Sequence, residues 1–193
     1  MPKISNATIA ILATNGFEQS ELEVPRDKLM SAGAKVHVVT PDGESIRGWD
    51  KTDWGARIEA DKALWDVDVG DYDALVLPGG QINPDLLRVN DAAVSLVRNF
   101  VRDGRIVAAV CHAPWLLIEA GVVDGRDMTS YHSIRTDVEN AGANWIDSEV
   151  VVSNGIVTSR KPGDLDAFTS KIIEEVEEGR HDRDEAEPEN VPV

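Results

Sequence analysis

Residues 105–120 read RIVAAVCHAPWLLIEA, and this stretch decides the fold. An apolar run over 106–110 ends at Cys111, the only cysteine; His112, Ala113 and Pro114 follow, and a second apolar run begins at Trp115. The pattern predicts a buried strand, a tight turn and a helix, with a thiol at the turn. Pro114 suits the first helical position and Gly121 a C-terminal cap. A turn of this kind exposes a nucleophile above a sheet, and a nearby helix N-terminus lowers a thiol pKa. The competing reading is a buried, inert thiol, the usual state of a free cysteine. The rest of the chain decides between them.

Working outward, further strands point to the same sheet edge. Residues 7–13 (ATIAILA) and 72–78 (YDALVLP) are short and nearly all apolar, as parallel strands covered on both faces are. KVHVVT, 35–40, is another strand, in which His37 reads as a packed or surface histidine. Helices are expected over 26–32, with Pro25 complicating a start near Glu18, over 92–101 with Asn90 as N-cap, over 134–141, and from Pro162 along the apolar spacing of Leu165, Phe168, Ile172, Ile173 and Val176. Residues 149–153 and 156–159 are strands joined by Asn154-Gly155, a hairpin signal. Residues 43–62, with Trp49 and Trp54, suggest a small hairpin or excursion from the sheet, and 126–131 a short extended piece. The alternation predicts an α/β fold with a mainly parallel sheet covered on both faces. Residues 1–178 read as one domain. Residues 179–193, acidic and without apolar pattern, read as a mobile tail.

Composition narrows the function. The chain has 193 residues and a formal net charge of -16, which argues against a stable nucleic-acid partner and against an anionic membrane surface. One cysteine excludes an internal disulfide and a multi-thiolate metal site, and fits a reducing compartment. No run is long enough to span a membrane, and the N-terminal apolar run reads as the first strand and not a signal peptide, so a cytoplasmic protein is expected.

Strands ending near Ala13, Pro78 and Val110 bring TNGFE, GGQINPD and CHAP to one edge, where ligand sites of open α/β sheets collect. His112 can take the thiol proton, and a carboxylate should orient the imidazole; Glu18 and Asp85 are the candidates. If Glu18 approaches Cys111, a raised carboxyl pKa and a lowered thiol pKa go together. Gly79 and Gly80 offer backbone N–H groups to an oxyanion. His132 and Tyr131 are candidates for substrate contact, and Arg160 for a substrate carboxylate. A metal set of Cys111, His112 and His132 has little support, since local packing or substrate contact accounts for His132. No cofactor is expected: the glycine turn a flavin phosphate needs is replaced after the first strand by TNGFEQSE.

An ordered set of motifs now resembles a known family. GFE at 16–18, YDALVLPGG at 72–80, NPD and LLR at 83–88, AVCHAPWLL at 109–117, TSYHSIRTDVENAGANWID at 129–147 and VTSRKPGDLDAF at 157–168 are similar to the DJ-1/PfpI superfamily, on the side of the PfpI-like intracellular proteases (peptidase family C56). The resemblance covers roughly residues 6–177. It implies a three-layer, flavodoxin-like sandwich with Cys111 on a nucleophile elbow, His112 as the adjacent base and Glu18 as the carboxyl partner of the thiol. It further implies a homodimer or higher oligomer in which Asp85 reaches the histidine of a neighbouring subunit. Ala113 stands where glycine usually follows the histidine; it is a candidate oxyanion or substrate contact, and its methyl is expected to narrow the space by the elbow. The implied activity is stress-protective, cysteine-dependent chemistry on small reactive carbonyls or their adducts, of glyoxalase III or deglycase type. Peptide hydrolysis and a non-enzymatic redox or chaperone role are the alternatives.

Overall fold

The computed structural model describes residues 2–181. Its elements follow in the order β1 (Thr8–Leu12), α1 (Gln19–Ser31), β2 (Lys35–Thr40), β3 (Ile46–Asp50), β4 (Asp53–Ile58), β5 (Lys62–Ala63), β6 (Ala74–Leu77), α2 (Ile82–Arg88), α3 (Asp91–Arg102), β7 (Ile106–Val110), α4 (Pro114–Glu119), β8 (Asp127–Met128), α5 (Arg135–Asn140), β9 (Asn144–Trp145), β10 (Val150–Ser153), β11 (Ile156–Ser159) and α6 (Leu165–Glu178). Seven strands form the central sheet in the order β10-β11-β7-β6-β1-β2-β5. All its pairings are parallel except β10 with β11, which are antiparallel.

The period-two geometry of a strand divides the apolar runs between two cores. Ile9 and Ile11 of β1, Val76 of β6 and Ile106 and Val110 of β7 pack with Leu22 and Leu29 of α1 and Phe168 and Ile172 of α6. Leu12, Leu77, Val107 and Ala109 face the other way, against Leu87 of α2, Val97 and Phe100 of α3 and Leu116 and Leu117 of α4. The result is the expected three-layer sandwich. Leu22 is fully buried, and truncating such a side chain to alanine costs about 2–5 kcal/mol.

Local signals explain most boundaries. Asn90 caps α3 by accepting from the N–H groups of Ala92 and Ala93 at 3.1 Å each. Asn154 and Gly155 both have positive φ (47° and 74°), as the tight turn between β10 and β11 requires. Helix α1 differs from expectation: it begins at Gln19 and runs through Pro25. Proline removes the N–H that would bond to the Glu21 carbonyl, but Leu22, Pro25 and Leu29 share the buried face, and that burial holds the helix together. Within residues 43–62, β3 and β4 form a hairpin outside the central sheet, whose tip packs Trp49 edge-on against Trp54 at 5.5 Å. His37 packs as expected, its Nδ1 2.9 Å from the Tyr72 hydroxyl.

The segment beyond α6 turns at Gly179 and lies against the chain: the His181 N–H donates to the Gly104 carbonyl at 2.8 Å. The expectation of a mobile tail otherwise falls on residues 182–193, outside the described residues. Among the described residues no helix is long and apolar enough to cross a membrane.

Candidate active site

Cys111 follows directly on β7 and has φ +63°. That left-handed conformation costs a non-glycine residue about 1 kcal/mol or more. Flanking hydrogen bonds hold it. The Cys111 N–H donates to the Ser159 carbonyl at 3.0 Å, and the Cys111 carbonyl accepts from the Tyr131 N–H at 2.8 Å. The strained turn reverses the chain into α4 and directs the side chain into a cleft of about 430 Å³. Gly16, Glu18, Glu21, Trp49, Lys51, Gly80, His112 and Tyr131 are among its walls. A larger open depression, of about 1080 Å³ around Trp65, Arg102 and Asp103, contains neither thiol nor imidazole.

His112 stands beside the thiol, with Nδ1 3.1 Å from Sγ. Its Nε2 lies 3.1 Å from Ser133 Oγ. The ring stacks on Tyr131 at 4.9 Å and meets Trp115 edge-on at 5.3 Å. Burial, and then the field of His132, pulls the imidazole below its ordinary pKa range, so it is neutral at pH 7. With its proton on Nε2, donated to Ser133, the Nδ1 lone pair is free to take the thiol proton.

The carboxyl at the thiol is Glu21, not Glu18. Glu21 is completely buried; its Oε2 accepts the Gly79 N–H at 2.8 Å, and its Oε1 has no hydrogen-bond partner. Burial pushes Glu21 up to about 8, despite the Gly79 N–H, and the nearby Glu18 adds to the rise. The carboxyl is therefore protonated at neutral pH. Glu18, at the N-terminus of α1, turns its Oε1 to the Ser20 hydroxyl at 3.2 Å and contributes charge to the cleft wall. Burial raises its pKa too, by a route that does not involve the thiol.

The thiol is held up, not down. Burial is the main cause and the Glu21 charge the next, while the Gly80 and His112 N–H groups pull the other way. Once Glu21 holds its proton, the charge repulsion disappears and its O–H becomes a donor for a thiolate. Proton transfer to His112 then accompanies attack on an electrophile; the resting thiol stays neutral.

The two glycines have different tasks. A Cβ on Gly79 would lie 2.7 Å from Cys111 Cβ and from the Val110 carbonyl, and the Gly79 N–H is engaged by Glu21. Gly80, with φ +82°, has no room for a side chain against Gly16 and Glu18, and its N–H faces the thiol. The Gly80 N–H acts on both the Cys111 thiol and the Glu21 carboxyl, so of the pair it is the donor placed beside an oxyanion formed at Sγ. Ala113 is fully buried below the elbow and does not line the cleft. His132 is exposed, meets Tyr131 at a tilted 40° with ring centroids 4.4 Å apart, and acts on His112 only through its field. Asp85 is exposed on α2 and is not brought to His112 within this chain. The Arg160 guanidinium is occupied by Asp164 at 2.9 Å and Asp147 at 2.7 Å, so it is not free for a substrate carboxylate.

Three residues of the site escaped the sequence reading. Glu21 had a signal: positions 21, 22, 25 and 29 share one helix face, which placed a carboxyl on the buried side. Ser133 and Lys51 had none, since a lone serine and a loop lysine are compatible with any surface.

A model of the DJ-1/PfpI family matches residues 7–175. The chain belongs to the DJ-1/PfpI family. Among its family relatives, Deglycase TK1284 of Thermococcus kodakarensis is 42% identical over 165 residues, 86% of this chain and 96% of that protein. General stress protein 18 of Bacillus subtilis is 41% identical over 167 residues, 86% of this chain and 95% of that protein. A two-domain crystal structure from Anabaena variabilis, with DJ-1/ThiJ/PfpI-like and ferritin-like domains, superposes with a TM-score of 0.84 at 35% identity. The match covers 89% of this chain and 48% of that one.

Proposed function

We propose that this DJ-1/PfpI protein is a stress-protective, cofactor-independent cysteine enzyme that acts on small reactive carbonyls or their adducts. The observation that carries this reading is the convergence of Cys111, neutral His112 and protonated Glu21 in a cleft of about 430 Å³, a size typical of small-molecule sites. The deglycase and stress-protein names of its relatives point the same way.

With methylglyoxal as substrate, Cys111 Sγ bonds to the aldehyde carbon while His112 Nδ1 takes the thiol proton. The new oxyanion is met by the Gly80 N–H and the Glu21 O–H. His112, having passed its proton to that oxygen, removes the hydrogen from the former aldehyde carbon, and the resulting enediol is reprotonated at the neighbouring carbon. This internal redox exchange leaves a lactoyl thioester, and water hydrolyses it to lactate and the free thiol. No external oxidant or reductant is needed. Glycated amines follow the same first bond, with the amine as leaving group.

A second copy of the chain completes the picture. Helix α2 exposes Ile82 and Leu86 beside Asp85, and Val89, just past its end, is 79% exposed. Packing this face on a neighbour would bury the apolar row and carry Asp85 to the neighbour's cleft, as the family resemblance implies. The same reading places the protein in the cytoplasm, with residues 1–178 as its one domain.

The test is lactate formation from methylglyoxal by the wild type and by Cys111→Ser. Turnover that disappears in the variant supports the proposal. Absence of turnover in the wild type, or turnover that survives in the variant, overturns it. Hydrolysis of a fluorogenic peptide without lactate formation replaces it with a cysteine peptidase.

A further inference from the structure

A second buried carboxyl lies at the other edge of the sheet. Glu175 sits on the apolar face of α6 beside Ile172 and Val176 and is only 6% exposed. Its Oε2 faces His181 Nε2 at 3.0 Å. Both atoms are shielded from solvent; they are close enough for an ion pair but lack hydrogen-bond geometry. Glu178 adds a third donor, and the ligand atoms of the three side chains lie within 4.8 Å of one another. Among the described residues this is the one cluster of three or more His, Cys, Asp or Glu side chains with ligand atoms so close.

The arrangement is costly as it stands. A buried carboxylate oxygen and a buried ring nitrogen that meet without hydrogen-bond geometry leave both poorly satisfied. A protonated His181 would supply a charge, but its ring N–H makes no hydrogen bond to the carboxylate. A cation between them would satisfy both lone pairs at once. Bonds of about 2.0–2.2 Å to nitrogen and oxygen put ligands about 3.0 Å apart at a right angle and about 3.4 Å apart at a tetrahedral one, close to the 3.0 Å between Oε2 and Nε2. One imidazole with two carboxylates suits a borderline divalent ion, with water completing the shell.

The backbone is already set for this. The His181 N–H is bonded to the Gly104 carbonyl at 2.8 Å. A side chain on Gly104 would collide with the His181 carbonyl. Arg180 lies 3.8 Å from Asp103. Gly104 precedes β7 and Cys111 follows it, so a strand length of roughly 20 Å separates this cluster from the thiol.

We propose that Glu175, Glu178 and His181 form a binding site for a divalent transition-metal ion of the Zn²⁺ class, which fastens the segment after α6 to the turn before β7. Full-length protein freed of metal with EDTA and titrated calorimetrically with Zn²⁺ tests it. One ion should bind per chain at micromolar or lower concentration and raise Tm by several degrees. His181→Gln and Glu178→Gln should each weaken binding at least tenfold and lose the Tm gain, whereas Cys111→Ser should bind as the wild type does. Glu178 is exposed, so its variant has no reason to misfold. No binding below 100 µM, equal binding by both variants, or loss of binding in Cys111→Ser would each overturn the site.

Discussion

Glu21 and Glu175 are the same side chain buried at opposite edges of one sheet. Both are shielded, both have their pKa raised mainly by burial, and each has a carboxylate oxygen without a hydrogen bond. Their neighbours differ. Glu21 receives the Gly79 N–H and faces a thiol; Glu175 faces an imidazole and a second carboxylate. A buried acid must settle its charge locally. A proton does so at Glu21 and gives the cleft an acid for carbonyl chemistry. At Glu175 a cation does so and gives the fold a fastening. The contrast shows that burial sets the problem and the neighbour selects the solution.

The comparison can be broken in several places. The largest effect is expected from Cys111→Ser, which should lower kcat/KM for methylglyoxal at least about 1000-fold, since nothing else in the cleft can form the thioester. Glu21→Gln should cost about 100-fold in kcat and Glu18→Gln no more than about threefold; the reverse order would return the carboxyl role to Glu18.

Stability offers an independent reading of Glu21. Its folded pKa, about 8, lies above the ordinary carboxyl value of 4.5, so the folded state holds the proton more tightly. The associated stability is fully present below about pH 4.5 and is lost as pH rises through about 8, a change on the order of a few kcal/mol. Urea unfolding across this window should show the decline in the wild type and a flatter curve in Glu21→Gln. Superimposable curves would mean that another group binds the proton.

A smaller loss, about three- to tenfold, is expected for Ser133→Ala, which leaves His112 Nε2 without its acceptor. Because Ser133 positions the imidazole and does not touch the reacting atoms, the pH profile of kcat/KM should move to lower pH, and Ser133→Thr should restore it. A lower rate with an unmoved profile would reduce Ser133 to packing. The smallest effect on catalysis belongs to the far edge: His181→Gln should turn over methylglyoxal within about twofold of the wild type while losing the thermal response to Zn²⁺.

Much of this was legible in the residues. β1, β6 and β7 are buried on both faces, so their sequences are apolar without interruption, and the elbow follows from where the third run stops. Asn154-Gly155 specified its hairpin because few other pairs accept two positive φ values. The two-residue strands β5, β8 and β9 are too short to carry a period. Helix α2, seven residues with Pro84 inside, carries no helical signature of its own. At the site, the thiol and imidazole were readable because their chemistry is rare in this chain. The carboxyl was not: with 35 acidic residues, the GFE motif drew attention to Glu18, and only the packing of α1 shows that Glu21, one turn later, points inward. His181 fell in a segment read as tail, and its contact with Gly104 depends on a meeting between distant parts of the chain.

The left-handed backbone of Cys111 sets activity and durability against each other at one residue. Glycine adopts that conformation without penalty, so Cys111→Gly should be inactive yet hold its elbow more comfortably than Cys111→Ser, by about 1 kcal/mol where the lost side-chain packing does not offset it. A lineage that no longer needed the chemistry would have a downhill path away from it, one codon change long. At this turn the residue that the backbone favours and the residue that the proposed chemistry requires are different.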